Sequence, residues 1–326
     1  MTFDAVTVAL NPVVDWTVWI PDFGTGRVNR VQRDQTDAGG KGVNVASFLA
    51  DYGHRVAVTG LRGADNSEIF RSFLAGKGIA DRFVDIPGQT RTGIKIVDQV
   101  QGQTTDINFP GLPPRAADLD ALQQVLRDLI EQCDWFVLSG RLPPGVSPAL
   151  YGELIRALKG AGKRTVLDTS GEALRLGVAE APAMIKPNLA ELSELAGREL
   201  RTEAEILEVA RGLLAQGIQY VVVSMGEGGA LFVGHDDAVS VVPPRIEVTS
   251  TAGAGDALLA GTVAGLLRGL PLPDVARLAT AFAAGALTQV THGLPPAEVV
   301  EDLARQVVVS ASAASWWVDD CMRTSE

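Results

Sequence analysis

Thr251-Ala252-Gly253-Ala254-Gly255-Asp256 runs without a break into Ala257-Leu258-Leu259-Ala260-Gly261-Thr262-Val263-Ala264-Gly265-Leu266-Leu267. Leu259, Val263, Leu266 and Leu270 recur at intervals of four, three and four, the spacing of one helical face, which predicts a buried helix from about Asp256. The residues just before it carry almost no side chain. At a helix start the first amides have no partner within the helix and the dipole end is positive, so a bare loop there forms an anion pocket. Gly253 and Gly255 let a phosphate approach the main chain. Asp256 alone reads equally as a helix-stabilising acid. Inside an anion loop, however, a carboxylate is repulsive unless it takes the proton of an attacking hydroxyl, which is what a phosphoryl transferase requires.

Upstream of this loop, short apolar runs alternate with helical patterns. Ala5 to Leu10, Val56 to Thr59, Trp135 to Ser139, Thr165 to Asp168, Met184 to Lys186 and Tyr220 to Ser224 read as strands covered on both faces. Leu119 to Glu131, Pro148 to Gly160, Glu203 to Gln216 and Ala257 to Leu267 read as helices between or after them, and Ala276 to Ala286 as a closely packed one. This is the rhythm of an α/β, doubly wound, mostly parallel sheet. Trp16 to Gln35 and Thr92 to Phe109 break it. Their residue-by-residue alternation predicts strands exposed on one face, either joined in one auxiliary sheet or forming two surface hairpins.

The chain has 326 residues, 46% apolar and 21% charged, enough for a large core without staples. With 28 basic and 39 acidic residues the net charge is -11, which disfavours nucleic acid as a partner. Cys133 and Cys321 are too few for a disulfide scaffold, and no metal-ligand spacing stands out. The N-terminus lacks a basic signal-peptide start and no uncharged apolar run reaches the roughly 18 residues of a membrane span. The expectation is a cytoplasmic protein with no membrane association. His54, His235 and His292 are scattered and read as structural.

Two further stretches complete the chemistry. In Asp37-Ala38-Gly39-Gly40-Lys41-Gly42-Val43-Asn44 glycines again precede a helix, with Lys41 near the tip and the polar Asn44 in its first turn; sugar hydroxyls would satisfy that amide. In Lys186-Pro187-Asn188-Leu189-Ala190-Glu191, which follows a buried strand, Asn188 and Glu191 have the spacing of a capping box. The same pair, at the carboxyl end of a strand, is placed to organise Mg2+ through water beside Lys186. Gly40-Lys41 is followed by glycine, which excludes a Walker loop, and the dinucleotide fingerprint lacks its third glycine at Leu258.

Taken in order, these three motifs make the chain resemble the PfkB (ribokinase-like) carbohydrate kinase family from residue 3 to about 305. The resemblance implies a ribokinase-like fold with a small β-sheet lid. One domain is expected over 1–308, with lid strands from about 12–36 and 89–110 inserted in it, followed by a 309–326 tail. It also implies ATP and Mg2+, a homodimer through the lid, and phosphorylation of a sugar hydroxyl. Leu10-Asn11-Pro12 with Asp15, Val28-Asn29-Arg30-Val31, Thr90-Arg91, Ser139-Gly140-Arg141-Leu142-Pro143-Pro144-Gly145-Val146 and Ser250 resemble the branch acting on ketose phosphates. Thr105-Asp106-Ile107-Asn108-Phe109 is most like the members acting on fructose 1-phosphate, with tagatose 6-phosphate and fructose 6-phosphate the alternatives.

Carried over position by position, the resemblance makes Asp256 the base and Gly253, Ala254 and Gly255 the cradle for the γ-phosphoryl group. At the ordinary aspartate pKa of about 3.9 such a base is ionised at neutral pH without special tuning. Asp15, Gly39, Gly40, Asn44 and Ser139 would grip the sugar, and Arg91, Lys41 and Arg27 its phosphate. Lys186, Asn188, Glu191, Ser224, Gly226, Gly229 and Thr251 would face the nucleotide, with Asn188 and Glu191 reaching the metal through water. Arg141 departs from the serine common in the family and reads either as an added phosphate contact or as a surface arginine. Asp168-Thr169-Ser170-Gly171 reads as a strand-ending turn or part of the phosphate side. The remote alternative is a sugar-phosphate sensor without catalysis.

Overall fold

The computed structural model describes residues 2–249, 253–289 and 293–312. The chain begins with β1 (Ala5–Ala9), β2 (Val13–Trp19), β3 (Arg33–Gly39), α1 (Lys41–Asp51), β4 (Val56–Gly63), α2 (Glu68–Gly76), β5 (Ala80–Ile86), β6 (Thr92–Asp98) and β7 (Gln103–Asn108). It continues through α3 (Ala116–Ile130), β8 (Trp135–Ser139), α4 (Leu150–Gly160), β9 (Arg164–Asp168), α5 (Gly171–Val178), β10 (Met184–Ile185), α6 (Leu189–Ala196), α7 (Glu203–Leu214) and β11 (Tyr220–Ser224). Then come β12 (Ala230–Val233), β13 (Ala238–Val242), α8 (Ala254–Leu267), α9 (Leu272–Leu287), α10 (Ala297–Gln306) and β14 (Val308–Ala311).

Ten strands form one sheet in the order β14-β13-β12-β11-β10-β9-β8-β1-β4-β5, parallel from β11 to β5 and antiparallel beyond β11. All residues of β1, β4 and β8 are buried, so their unbroken apolarity reflects cover on both faces. Ala5 and Ala9 point into one core layer, with α1, α8, α9 and α10; Val6 and Val8 point into the other, with α3, α4 and α7. The order reverses between β1 and β8, which places a ligand crevice outside their carboxyl ends.

The two alternating segments do join. β3, β2, β6 and β7 make one separate four-stranded sheet, with β2 and β6 parallel at its centre. Its turn-side cluster is only Val18, Ile20 and Ile96 with Phe23 and Ile94 packed on it. β7 is exposed along its whole length.

Elsewhere the structure extends the sequence reading. The helix read as starting near Asp256 starts at Ala254. Edge strand β5, Ala-Asp-Arg-Phe-Val-Asp-Ile, is only partly buried and escapes an apolar-run criterion because its charged residues face outward or pair with Arg62. Strand β14 straddles the 308/309 boundary, while 313–326, with most of the tail, lies outside the described residues. Among the described residues no helix is long and apolar enough to cross a membrane.

α8 is buried from Asp256 through Gly265 and lies against α9. The close approach requires glycine: a Cβ on Gly261 would stand 2.6 Å from Ala279 Cα and one on Gly265 3.1 Å from Val275 Cα. Gly261→Val should therefore destabilise the fold by about 3 kcal/mol through overpacking. A urea midpoint equal to the parent's would mean the two helices are not held at this distance.

Candidate active site

Two glycine-led helix starts meet at the crevice. Gly40, at φ 105°, is the N-cap of α1, and a Cβ there would lie 3.0 Å from Pro12 Cα. The first turn of α1 carries Lys41 and the buried Asn44. Gly253, left-handed at φ 80° and ψ 0°, caps α8 without any side-chain bond. Ala257 N donates to Gly253 O at 2.8 Å, whereas the amides of Ala254, Gly255 and Asp256 donate to no described residue. Among the described residues, the donor set of an anion pocket is therefore uncommitted. Thr251 and Ser250 lie outside the described residues.

Asp256 is 7% exposed and accepts a 2.8 Å bond from Asn44 Nδ2. The other amide atom, Asn44 Oδ1, is buried with no partner. A buried orphan acceptor beside a carboxylate is costly unless something supplies a donor, and a substrate hydroxyl does so. Burial pushes the Asp256 carboxyl above the ordinary carboxylate range, and Asp168 pushes it the same way. Lys41, the Asn44 amide and Lys186 offset this only in part. The expectation of an untuned aspartate is thus corrected: desolvation in the helix-capped core raises its affinity for a proton.

Asp168, at the end of β9, is the residue sequence reasoning undervalued. Its side chain is fully buried, 3.1 Å from Lys41 Nζ and 3.4 Å from Lys186 Nζ, with Ser139 Oγ donating to it at 3.4 Å. Burial would raise its pKa, but Lys186 and Lys41 outweigh burial and hold it below the usual range. Burial likewise opposes the charge on Lys41, yet Asp168 and Asp256 keep that ammonium protonated above its ordinary value. Asp168-Thr169-Ser170-Gly171 left a turn and the phosphate side equally open; the further signal was an acid ending a buried strand, opposite two lysines already singled out.

A cleft of about 650 Å3 opens from Lys41 toward the lid, lined among others by Asn11, Gly40, Arg91, Ser139 and Arg141. Arg91 Nε and Nη2 donate to Asn11 O at 3.4 and 3.3 Å. Burial lowers the pKa of Arg91; Asp15 opposes that and Arg141 reinforces it. Arg91 and Arg141 both line this cleft, so two guanidinium groups are available there to a phosphate dianion. The Asp15 carboxylate abuts Gly39 and Gly93, where added Cβ atoms would stand 2.1 and 3.0 Å from its oxygens. Arg27, by contrast, is not brought to this cleft: it pairs with Asp22 at 2.9 Å in the lid turn.

On the other flank, Asn188 Oδ1 accepts from Glu191 N at 2.8 Å and Glu191 Oε2 from Asn188 N at 2.9 Å. The capping box is therefore present at the start of α6. Ser224 bridges to Asn188 and its N donates to Pro187 O at 3.1 Å. After the short turn at Gly226–Gly228, Gly229 at φ 89° lies so near Val241 O that a Cβ would stand 1.9 Å from it. Lys186, 5% exposed, reaches back toward the α8 loop, where a Cβ on Gly255 would lie 3.8 Å from its Nζ. No cluster of three or more His, Cys, Asp or Glu residues stands among the described residues.

Known proteins carry the same pattern. Residues 1–298 match the family model described as pfkB family carbohydrate kinase. The chain is 49% identical over 310 residues to a 1-phosphofructokinase of Rhodobacter capsulatus, covering 95% of this chain and 98% of that protein. It is 39% identical over 311 residues to one of Vibrio cholerae, covering 95% and 98% respectively. The crystal structure of phosphofructokinase-2 from Escherichia coli in complex with fructose-6-phosphate superposes with a TM-score of 0.85 at 26% identity, covering 93% of this chain and 99% of that one.

Proposed function

This chain belongs to the pfkB family of carbohydrate kinases, and from that premise we propose that it transfers the γ-phosphoryl group of ATP to fructose 1-phosphate, giving fructose 1,6-bisphosphate and ADP. The observation that carries this reading is the amide loop at the start of α8, uncommitted among the described residues, with a buried, proton-seeking Asp256 at its edge and two arginines lining the adjoining cleft. The curated relatives named for fructose 1-phosphate chemistry support the choice of acceptor.

In this mechanism Asn44 Oδ1 and Asp15 hold sugar hydroxyls. The attacking oxygen then stands against Asp256, and alignment of this kind lowers a barrier by several kcal/mol. Asp256 takes the hydroxyl proton as the oxygen attacks phosphorus. The Ala254, Gly255 and Asp256 amides neutralise charge on the transferring group. Arg91, Arg141 and Lys41 grip the phosphate already on the sugar. Lys186 lies on the nucleotide side, beside Ser224, Gly226 and Gly229.

Mg2+ fits this donor set only as an ion carried by the triphosphate. Asn188 Oδ1 and Glu191 Oε2 are committed to the cap, so Glu191 Oε1 is left to reach the metal through water. The ion supplies charge neutralisation between the phosphates when bound. A cytoplasmic location and a homodimer through the lid belong to this proposal as well, the latter supported by Trp16, Ile107 and Phe109 exposed on the small sheet. A single domain is part of the same reading, its limit moved from 308 to the end of β14 at Ala311.

The test is ADP release measured across fructose 1-phosphate, fructose 6-phosphate and tagatose 6-phosphate. The expected order puts fructose 1-phosphate first by kcat/KM; preference for either 6-phosphate overturns the choice of acceptor. Asp256 must be ionised to accept a proton, and its pKa is raised. The acid limb of kcat/KM should therefore fall away at a pH above the ordinary aspartate range of about 3.9. An acid limb at or below the ordinary range would show a base exposed to water.

A further inference from the structure

Asp168 touches no position where a reacting atom would sit, yet it is the most completely enclosed charge in the crevice. Its carboxylate, with no solvent exposure, gathers Lys41 from the first turn of α1 and Lys186 from the end of β10, at 3.1 and 3.4 Å. Those lysines come from opposite flanks: Lys41 lines the cleft toward the lid, and Lys186 stands by Gly255 in the α8 loop. With Ser139 Oγ donating to the same carboxylate, one group ties the ends of β8 and β9 to both lysines. A lysine stem has four rotatable bonds, and an unheld ammonium in a crevice samples many of them. From this arrangement we infer that Asp168 is the positioning residue of the site, holding the two lysine ammonium groups on the two sides of the transferring phosphate.

The balance of charge explains why a buried acid belongs there. Asp168 and Asp256 face Lys41 and Lys186, two negative groups against two positive ones, and the other groups near this set are Glu191, which acts on Lys41, and the phenol of Tyr151, whose own pKa burial and Asp168 both raise. Without Asp168 the lysines would turn toward Asp256, on which both already act, and occupy the base. Asp168 thus has a second consequence: it keeps Asp256 free for the acceptor hydroxyl, and as a neighbouring negative charge it strengthens that base.

The inference rests on the kinase reading for its kinetic arm alone. The other arm is 13C NMR titration of the Asp256 carboxyl in the sugar-free protein, assigned with Asp256→Asn, in the parent, Asp168→Asn and Asp168→Glu. In Asp168→Asn the Asp256 titration is expected to move to lower pH, while Asp168→Glu, which keeps the charge, leaves it near the parent value. In turnover, Asp168→Asn should lower kcat about 10-fold or more through lost alignment, with no rise in KM for ATP because the pocket has become more positive; Asp168→Glu should recover part of kcat. An unmoved titration in Asp168→Asn, equal shifts in both variants, or kcat lost together with a raised KM for ATP would each overturn the assignment. Should Asp168→Asn not fold, Asp168→Glu decides: a titration displaced to lower pH, or a kcat equal to the parent's, overturns it. If the parent releases no ADP with any of the three ketose phosphates, the kinase reading fails while the titration still judges Asp168.

Discussion

Asp256→Asn should lower kcat by about 10^2 to 10^4, the range that a positioned general base contributes, while ATP binding changes little. The asparagine keeps the shape of the side chain and can still pair with Asn44, so the amide loop of α8 keeps its geometry and only the proton acceptor is lost. Single-turnover rates with calorimetric ATP binding separate the two. Turnover near the parent's would remove Asp256 as base. The same variant should gain stability at neutral pH. A carboxyl whose folded pKa is raised contributes stability that is fully present below its unfolded value near 3.9 and is lost as pH rises through the folded value. At neutral pH the parent holds an ionised acid that its surroundings disfavour, and the amide removes that burden. An inactive protein that melts at a higher temperature is the expected outcome.

Arg91→Ala carries the second large effect. Two charge-assisted bonds from one guanidinium to a phosphate contribute about 3 kcal/mol or more, so KM for fructose 1-phosphate should rise on the order of 100-fold. The base and the γ-phosphate cradle are untouched, so kcat at saturation should change far less. Arg141→Ala should show the same split at smaller amplitude, since Arg141 is exposed where Arg91 is half-buried. A loss confined to kcat would place both arginines away from the sugar phosphate.

The parts legible in the sequence were those whose physics is local. Continuous apolar runs at Ala5, Trp135 and Tyr220 marked strands buried on both faces, and each is a strand of the parallel sheet. Period-two alternation around Trp16 and Ile94 marked the lid, whose strands do pair. Glycine followed by an apolar helix marked both ends of the crevice, and the structure brings Asn44 and Asp256 within 2.8 Å across the intervening chain. What stayed hidden depends on distance through space. The raised affinity of Asp256 for a proton comes from enclosure and from Asp168, and the pairing of Asp168 with two lysines joins three motifs whose contact no local pattern encodes. The antiparallel edge of β12, β13 and β14 was also missed, although Ala230–Val233 is an unbroken apolar run as short as those read as strands.

The burial of α8 on every side has a bearing on heat. A base mounted on a surface loop can wander while the body of a protein stays intact, and activity then fades before the molecule melts. Here the carboxylate rides on a helix clasped to α9 through Gly261 and Gly265 in the midst of the core. Warming cannot slacken its aim without dissolving that contact, so thermal inactivation and cooperative unfolding should follow one and the same curve.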